Sequence, residues 1–183
     1  MKKLIVIVGI FVSIYSSYSQ TQLLYDSFDN SSNWVFTGDW GLSTMNFISP
    51  QYSMSESPNG NYQNLVSTTA TLANSFDLDG AFDCLIEFYA RYDIELGFDF
   101  MYLEASSDDG QSWDVGTTFN GVDTVWVKYT FSLAGFVGNS DVKVRFRFVS
   151  DQGYFTDGMY IDELKITSYP MDMTAPFSIH QPQ

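Results

Sequence analysis

Alternation with a period of two runs through most of this chain and restricts its fold more than any other feature. Val142, Val144, Phe146 and Phe148 alternate with Lys143, Arg145 and Arg147. Cys84, Ile86, Phe88, Ala90 and Tyr92 alternate with Glu87, Tyr89, Arg91 and Asp93, and Met101, Leu103 and Ala105 alternate with Tyr102 and Glu104. Val125, Val127, Tyr129, Phe131 and Leu133 alternate with Trp126, Lys128, Thr130 and Ser132. Successive side chains of an extended chain point to opposite faces, so each run predicts a half-buried strand with one face on a core. The pairs Asp79-Gly80, Asp109-Gly110, Asn120-Gly121, Gly138-Asn139 and Asp157-Gly158 separate the runs as turns. Helical periodicity is sparse. Many short strands with regular turns predict an all-β sandwich or barrel. The segment 46–64 is polar, carries Pro50 and Pro58, and reads as a long ordered loop or a weak strand pair.

The ends differ from this pattern. Lys2 and Lys3 precede an apolar run from Leu4 to Tyr15, followed by Ser17 and Ser19. A positive start, a short apolar run and small residues make residues 1–19 a secretory signal peptide. The run is shorter than the ~20 apolar residues that cross a bilayer. The expected protein is therefore exported, secreted or at the cell surface, without a membrane span. From residue 170 to residue 183 periodicity stops and prolines gather, which reads as a linker or tail. Residues 20–169 remain as one domain.

Charge narrows the partners. The net charge is −14, and the two lysines of the leader make the rest more acidic still. Such a surface repels nucleic acid and offers carboxylates to hard cations. The one cysteine, Cys84, lies on an apolar phase and reads as a core residue.

One hairpin has a recognisable form, Ser106-x-Asp108-x-Gly110-x-Ser112-Trp113. It is close to the Asp-box pattern, in which the Asp binds turn N–H groups, Gly takes a positive φ and Trp packs behind. A sialidase-type propeller carries several such boxes. One alone predicts a well-built hairpin.

Larger blocks carry a resemblance. GDWGLST (residues 38–44), ESPNGNYQN (56–64), FYARYDIELGFDFMYLEASSDDGQSW (88–113), VRFRFVSD (144–151) and DGMYIDELKI (157–166) follow one another in an order similar to one family. They resemble the MAM-like jelly-roll domain found in immune inhibitor A-type secreted metallopeptidases and other exported bacterial multidomain proteins. The resemblance spans roughly residues 23–167 and implies a jelly-roll β-sandwich, galactose-binding-like in architecture. It implies little about activity, because such a module rides on many proteins. The peptidase itself is missing: its zinc site needs HExxH, and the only histidine is His180. A catalytic or further domain would be a partner outside this chain.

Two sites are expected. Modules similar to this one often bind calcium where the first and last strands meet, so calcium is the expected structural cofactor. Asp26 and Asp29 near the start, and Asp162 and Glu163 near the end, are the candidate ligands, with Glu56 from the long loop. The apolar phase slips across Asp162-Glu163, between Ile161 and Leu164, which predicts a bulge. An acid turned inward there must be paired or bound to a metal. The second expectation is a contact surface for a glycan or an extracellular protein. Trp126 lies on the outward phase of its strand, and Tyr154 and Phe155 lie in a loop that needs no rings for a core. Trp34, Trp40 and Trp113 read as core or hairpin anchors. Lys143, Arg145 and Arg147 read as cross-strand partners of Glu87, Asp93 or Glu104. No pair of carboxylates sits in an apolar setting that would mark a glycoside hydrolase. The expected function is a non-catalytic binding module for adhesion or targeting. The alternative is a purely structural accessory domain of a larger secreted peptidase or adhesin, and a glycoside hydrolase is the distant third.

Overall fold

The alternating runs close into two antiparallel sheets in the computed structural model, which describes residues 20–170. Strands β1 (Thr21–Asp26), β3 (Gly41–Ser43), β4 (Ser53–Ser55), β6 (Ala81–Ile94), β9 (Gly121–Ser132) and β11 (Gly158–Pro170) form a six-stranded sheet in the order β3-β4-β11-β6-β9. Strand β1 lies on β11, beside the stretch that β4 leaves free: Thr21 faces Ser168 and Asp26 faces Leu164, whereas β4 meets Tyr160 and Ile161. Strands β2 (Trp34–Phe36), β5 (Ser67–Leu72), β7 (Phe100–Ser106), β8 (Asp114–Phe119) and β10 (Lys143–Val149) form a five-stranded sheet, ordered β2-β5-β10-β7-β8. The two expected end segments, 1–19 and 171–183, lie outside the described residues.

The apolar phases meet between the sheets. Ile86, Phe88 and Ala90 of β6 and Ile161, Leu164 and Ile166 of β11 are fully buried, as are Met101 of β7 and Val144, Phe146 and Phe148 of β10. Phe88 and Phe146 cross the gap edge to face, with ring centroids 5.2 Å apart. Each of these side chains other than Ala90 stabilises the fold by roughly 1.5–3 kcal/mol through removal from water. Trp34 and Trp40 join this core, and the Trp34 indole donates to Asp26 Oδ2 at 2.9 Å. Cys84 is also buried, and burial pushes its thiol up to about 12.

Two local readings are refined. The 46–64 segment supplies a true short strand, β4, tucked between β3 and β11. Val125, expected inward beside Val127, is instead 69% exposed. The β6–β9 register shifts between Ala90 and Tyr92, so the bulge turns Val125 outward while Val127, Tyr129 and Phe131 keep their phase opposite Ala90, Phe88 and Ile86. The Ser106–Trp113 hairpin forms as the pattern predicts. Ser112 donates from its N–H and hydroxyl to Asp108, Gly110 has φ of 88°, and the Trp113 indole donates to the Gly110 carbonyl at 3.0 Å. These Ser112 bonds hold the Asp108 carboxyl down at about 2.

Candidate binding surface at the loop end

The slip in β11 is a bulge: the β6–β11 register shifts between Asp162 and Lys165, and Glu163 has φ of 53°. It turns Asp162 into a fully buried position, where the carboxylate accepts the N–H groups of Ile48, Ser49 and Glu163 and the Ser49 hydroxyl. Burial raises its pKa, against those bonds. Asp26 accepts from the Phe28 N–H, the Asn33 amide and the Trp34 indole. Glu163 accepts the Tyr25 hydroxyl at 2.7 Å, and exposed Asp29 accepts the Ser27 hydroxyl. Glu56 is buried elsewhere, where both of its oxygens accept the Met159 N–H, at 2.9 and 3.2 Å. Burial pushes its carboxyl up to about 8. Among the described residues, no three of these five acids converge on one point.

The expected contact rings fall on two elements. Trp126 is half-buried on β9, on the same phase as Lys128, which faces Tyr89. Tyr154 and Phe155 are 68% and 51% exposed on the loop between β10 and β11. That loop is held rather than free. Its Gly153 N–H donates to Asp151, its Tyr154 N–H donates to Glu95, and Asn64 donates its amide to the Gln152 and Gly153 carbonyls. The Tyr62 N–H donates to the Thr156 carbonyl. Rings fixed at this tip lose little freedom on binding a partner.

The same end of the sandwich collects other exposed apolar side chains, namely Leu65, Leu96, Phe98 and Val122. They share this end because Leu65 donates its N–H to the Asp151 carbonyl, Phe98 turns back onto the Glu95 carbonyl, and Val122 faces Asp93. An open polar hollow lined by Asp39, Ser57, Pro58, Asn59, Gly60 and Asn61 connects to the Tyr154 loop through Tyr62, which follows Asn61 and bonds Thr156. Exposed apolar clusters of this kind mark contact sites more often than isolated apolar residues do.

The outer face of the five-stranded sheet carries a different constellation. Glu104, only 2% exposed, accepts from Arg145 Nε at 2.6 Å and from Arg147 Nη2 at 2.6 Å. Burial raises the Glu104 carboxyl, but Arg147 and Arg145 outweigh it and hold the group below the usual range. Each guanidinium also covers a ring, Arg145 over Trp113 at 4.2 Å and Arg147 over Tyr102 at 4.3 Å. Arg145 and Arg147 thus share the single carboxylate of Glu104 across the strand pair, Lys143 pairs with Asp109 of the turn, and of the other expected partners Glu87 pairs with Lys128 instead.

No known protein-family model matches the chain. A stretch of 100 residues is 28% identical to immune inhibitor A of Bacillus thuringiensis subsp. alesti, a weak homology covering 50% of this chain and 14% of that protein. This chain thus spans about a seventh of that relative's length. Among solved structures, the CBM22-1 and GH10 modules of Clostridium thermocellum endo-1,4-β-D-xylanase 10B superpose with a TM-score of 0.57 at 17% identity, over 85% of this chain and 30% of that one. The CBM22-1 xylan-binding domain of Paenibacillus barcinonensis Xyn10C gives 0.56 at 12% identity, over 85% and 99% of the two chains. The K3 cleaved adhesin domain of Lys-gingipain from Porphyromonas gingivalis w83 gives 0.55 at 14% identity, over 81% and 99%. The fold is a jelly-roll β-sandwich. At these identities the likeness establishes architecture, and function must come from the site.

The structure also assembles a group that the sequence reading did not name. Glu95, Asp99 and Asp151 each bring a carboxylate oxygen to within 4.8 Å of the others, directly beneath the Tyr154 loop. The signal was present: Asp99 shares the odd-numbered, inward phase of Met101, Leu103 and Ala105.

Proposed function

We propose that this chain is an exported, non-catalytic binding module of the MAM-like kind, which presents Tyr154 and Phe155 to a glycan. The observation that carries the reading is the pair of exposed rings on a loop pinned from three sides, joined through Tyr62 to the segment whose Asn59 and Asn61 line a polar hollow with Asp39. Flat rings stack on sugar faces, and amides and carboxylates bond hydroxyls. Several modules of the same architecture are described as xylan-binding domains or adhesin domains, which supports this class over a catalytic one. Residues 1–19 would direct export, and no helix among the described residues is long and apolar enough to cross a membrane.

A second reading places the sugar on the outer face of the five-stranded sheet, because Tyr102 and Trp113 flank the Arg147-Glu104-Arg145 row there. The loop end is favoured because that row is already paired and one face of each ring is covered. Affinity electrophoresis in soluble xylan, together with a glycan array, decides between them. Tyr154→Ala and Phe155→Ala together should weaken binding at least tenfold, a loss of about 1.4 kcal/mol. Trp113→Ala should leave it within twofold. The opposite pattern would move the site to the sheet. Silence of the wild-type chain on every glycan would leave the structural accessory role.

A further inference from the structure

We propose that Glu95, Asp99 and Asp151 form a calcium site at the loop end of the sandwich. Asp99 lies at the centre of the cluster. It is fully buried, its Oδ1 accepts the Asp151 N–H at 2.7 Å, and its Oδ2 makes no well-formed hydrogen bond, although the Tyr62 hydroxyl lies close to the carboxyl. A buried carboxylate oxygen left unpaired is costly, and a cation shared with neighbouring carboxylates is one group that removes the cost. Two further carboxylates share the position, and among the described residues none of the three is in an ion pair.

The donor set selects the ion. All three donors are hard oxygens, and neither His nor Cys is among them, which disfavours zinc and copper. Calcium binds oxygens at about 2.4 Å, so oxygens on opposite sides of one ion stand about 4.8 Å apart. The three ligand atoms lie within 4.8 Å of one another, close enough to share one hard cation. Magnesium holds a tighter octahedron at about 2.1 Å and keeps most of its water. Asn64 Oδ1 is a second buried acceptor without a donor, and its amide is bonded to the neighbouring 152–153 turn.

The site lies apart from the acids first expected to bind calcium. Asp162 and Asp26 already have protein donors on both oxygens, and Glu56 is occupied by the Met159 N–H. An ion between Glu95, Asp99 and Asp151 would instead tie the end of β6 and the start of β7 to the loop that carries Tyr154 and Phe155. The inference stands whether or not those rings meet a sugar, and its readout needs no glycan.

The test is a calorimetric titration of the chelator-treated chain with calcium chloride, and in parallel with magnesium chloride, with thermal melts of each state. One calcium per chain should bind, and a hundredfold excess over the dissociation constant should raise the melting temperature by about 5–10 °C. Magnesium should give a much smaller shift. Glu95→Gln and Asp151→Asn, at half-buried positions, should each weaken calcium at least tenfold while the melting temperature in chelator stays near wild type. Asp29→Asn and Glu163→Gln should leave the affinity unchanged. No calcium binding by the wild-type chain overturns the proposal. So does binding that survives Glu95→Gln and Asp151→Asn, or that is lost in Asp29→Asn or Glu163→Gln.

Discussion

Gly158→Ala should destabilise the domain by about 3–4 kcal/mol, far more than an alanine at most turn glycines. Two costs add. Gly158 has φ of 83°, a left-handed conformation that costs an L residue about 1–2 kcal/mol. A Cβ there would also overlap Glu56 Oε1 and sit 2.7 Å from Ser57 Oγ. Both neighbours are buried and hydrogen-bonded, so they cannot swing away cheaply, and overpacking of this kind typically costs about 1–3 kcal/mol. Gly80 separates the two terms. It has φ of 73° with nothing within 4 Å of a Cβ, so Gly80→Ala carries only the backbone cost. Urea unfolding of both variants is the measurement. If Gly158→Ala loses no more stability than Gly80→Ala, the close approach of Glu56 has no energetic weight.

Stability should also fall as pH rises from about 4.5 to about 8, by an amount on the order of 4 kcal/mol traceable to Glu56. Burial pushes its folded-state pKa up to about 8, the main opposing effect being the Met159 N–H. Nearby Asp157 raises it further. A carboxyl whose folded pKa lies above its unfolded value binds its proton more tightly in the native state. Its stabilising contribution is complete below the unfolded pKa and is lost as pH climbs through the folded one. Asp162 is raised too and acts in the same direction. Glu104 and Asp108 are lowered, so they act in a different window: their contributions are present above their unfolded pKa values and are lost only in more acidic solution. Glu56→Gln keeps an acceptor for the Met159 N–H but cannot ionise. Its stability between pH 5 and 8 should fall much less than that of wild type, with Asp162 left to act in that direction, and it should exceed wild type at pH 8. Parallel wild-type and variant slopes across that range would show that the buried carboxyl contributes nothing.

The sheet layout was legible because burial on one face writes itself into every second residue. The runs at 84–94, 101–105 and 142–148 needed only that rule. The slip at Asp162-Glu163 was legible for the same reason, since a broken phase in an otherwise regular strand leaves few alternatives to a bulge. Val125 escaped because its bulge falls inside an apolar run, where an outward valine looks like an inward one. The acid positions were harder. Asp162 turned out to be satisfied by the Ile48 and Ser49 N–H groups, more than a hundred residues away in sequence, and no local pattern announces such a partner. Asp99 obeyed the same inward-acid rule as Asp162, but it sits just before its strand, where the phase is easily taken for loop. Its companions Glu95 and Asp151 are brought to it by tertiary structure alone.

The pairing of β1 with the second half of β11 has a mechanical consequence. Thr21 and Ser168 face each other across an antiparallel ladder, so the chain enters and leaves the domain at one place. Tension applied through these two ends draws the strands apart sideways, and the ladder bonds between Thr21 and Asp26 carry the load one after another, as in a zip. The same tension applied between Thr21 and Gly158 would slide β1 along β11 and load those bonds together. A module strung between two neighbours by its ends would therefore yield its first strand early, while the β6–β11 ladder at the centre of the sheet stays closed.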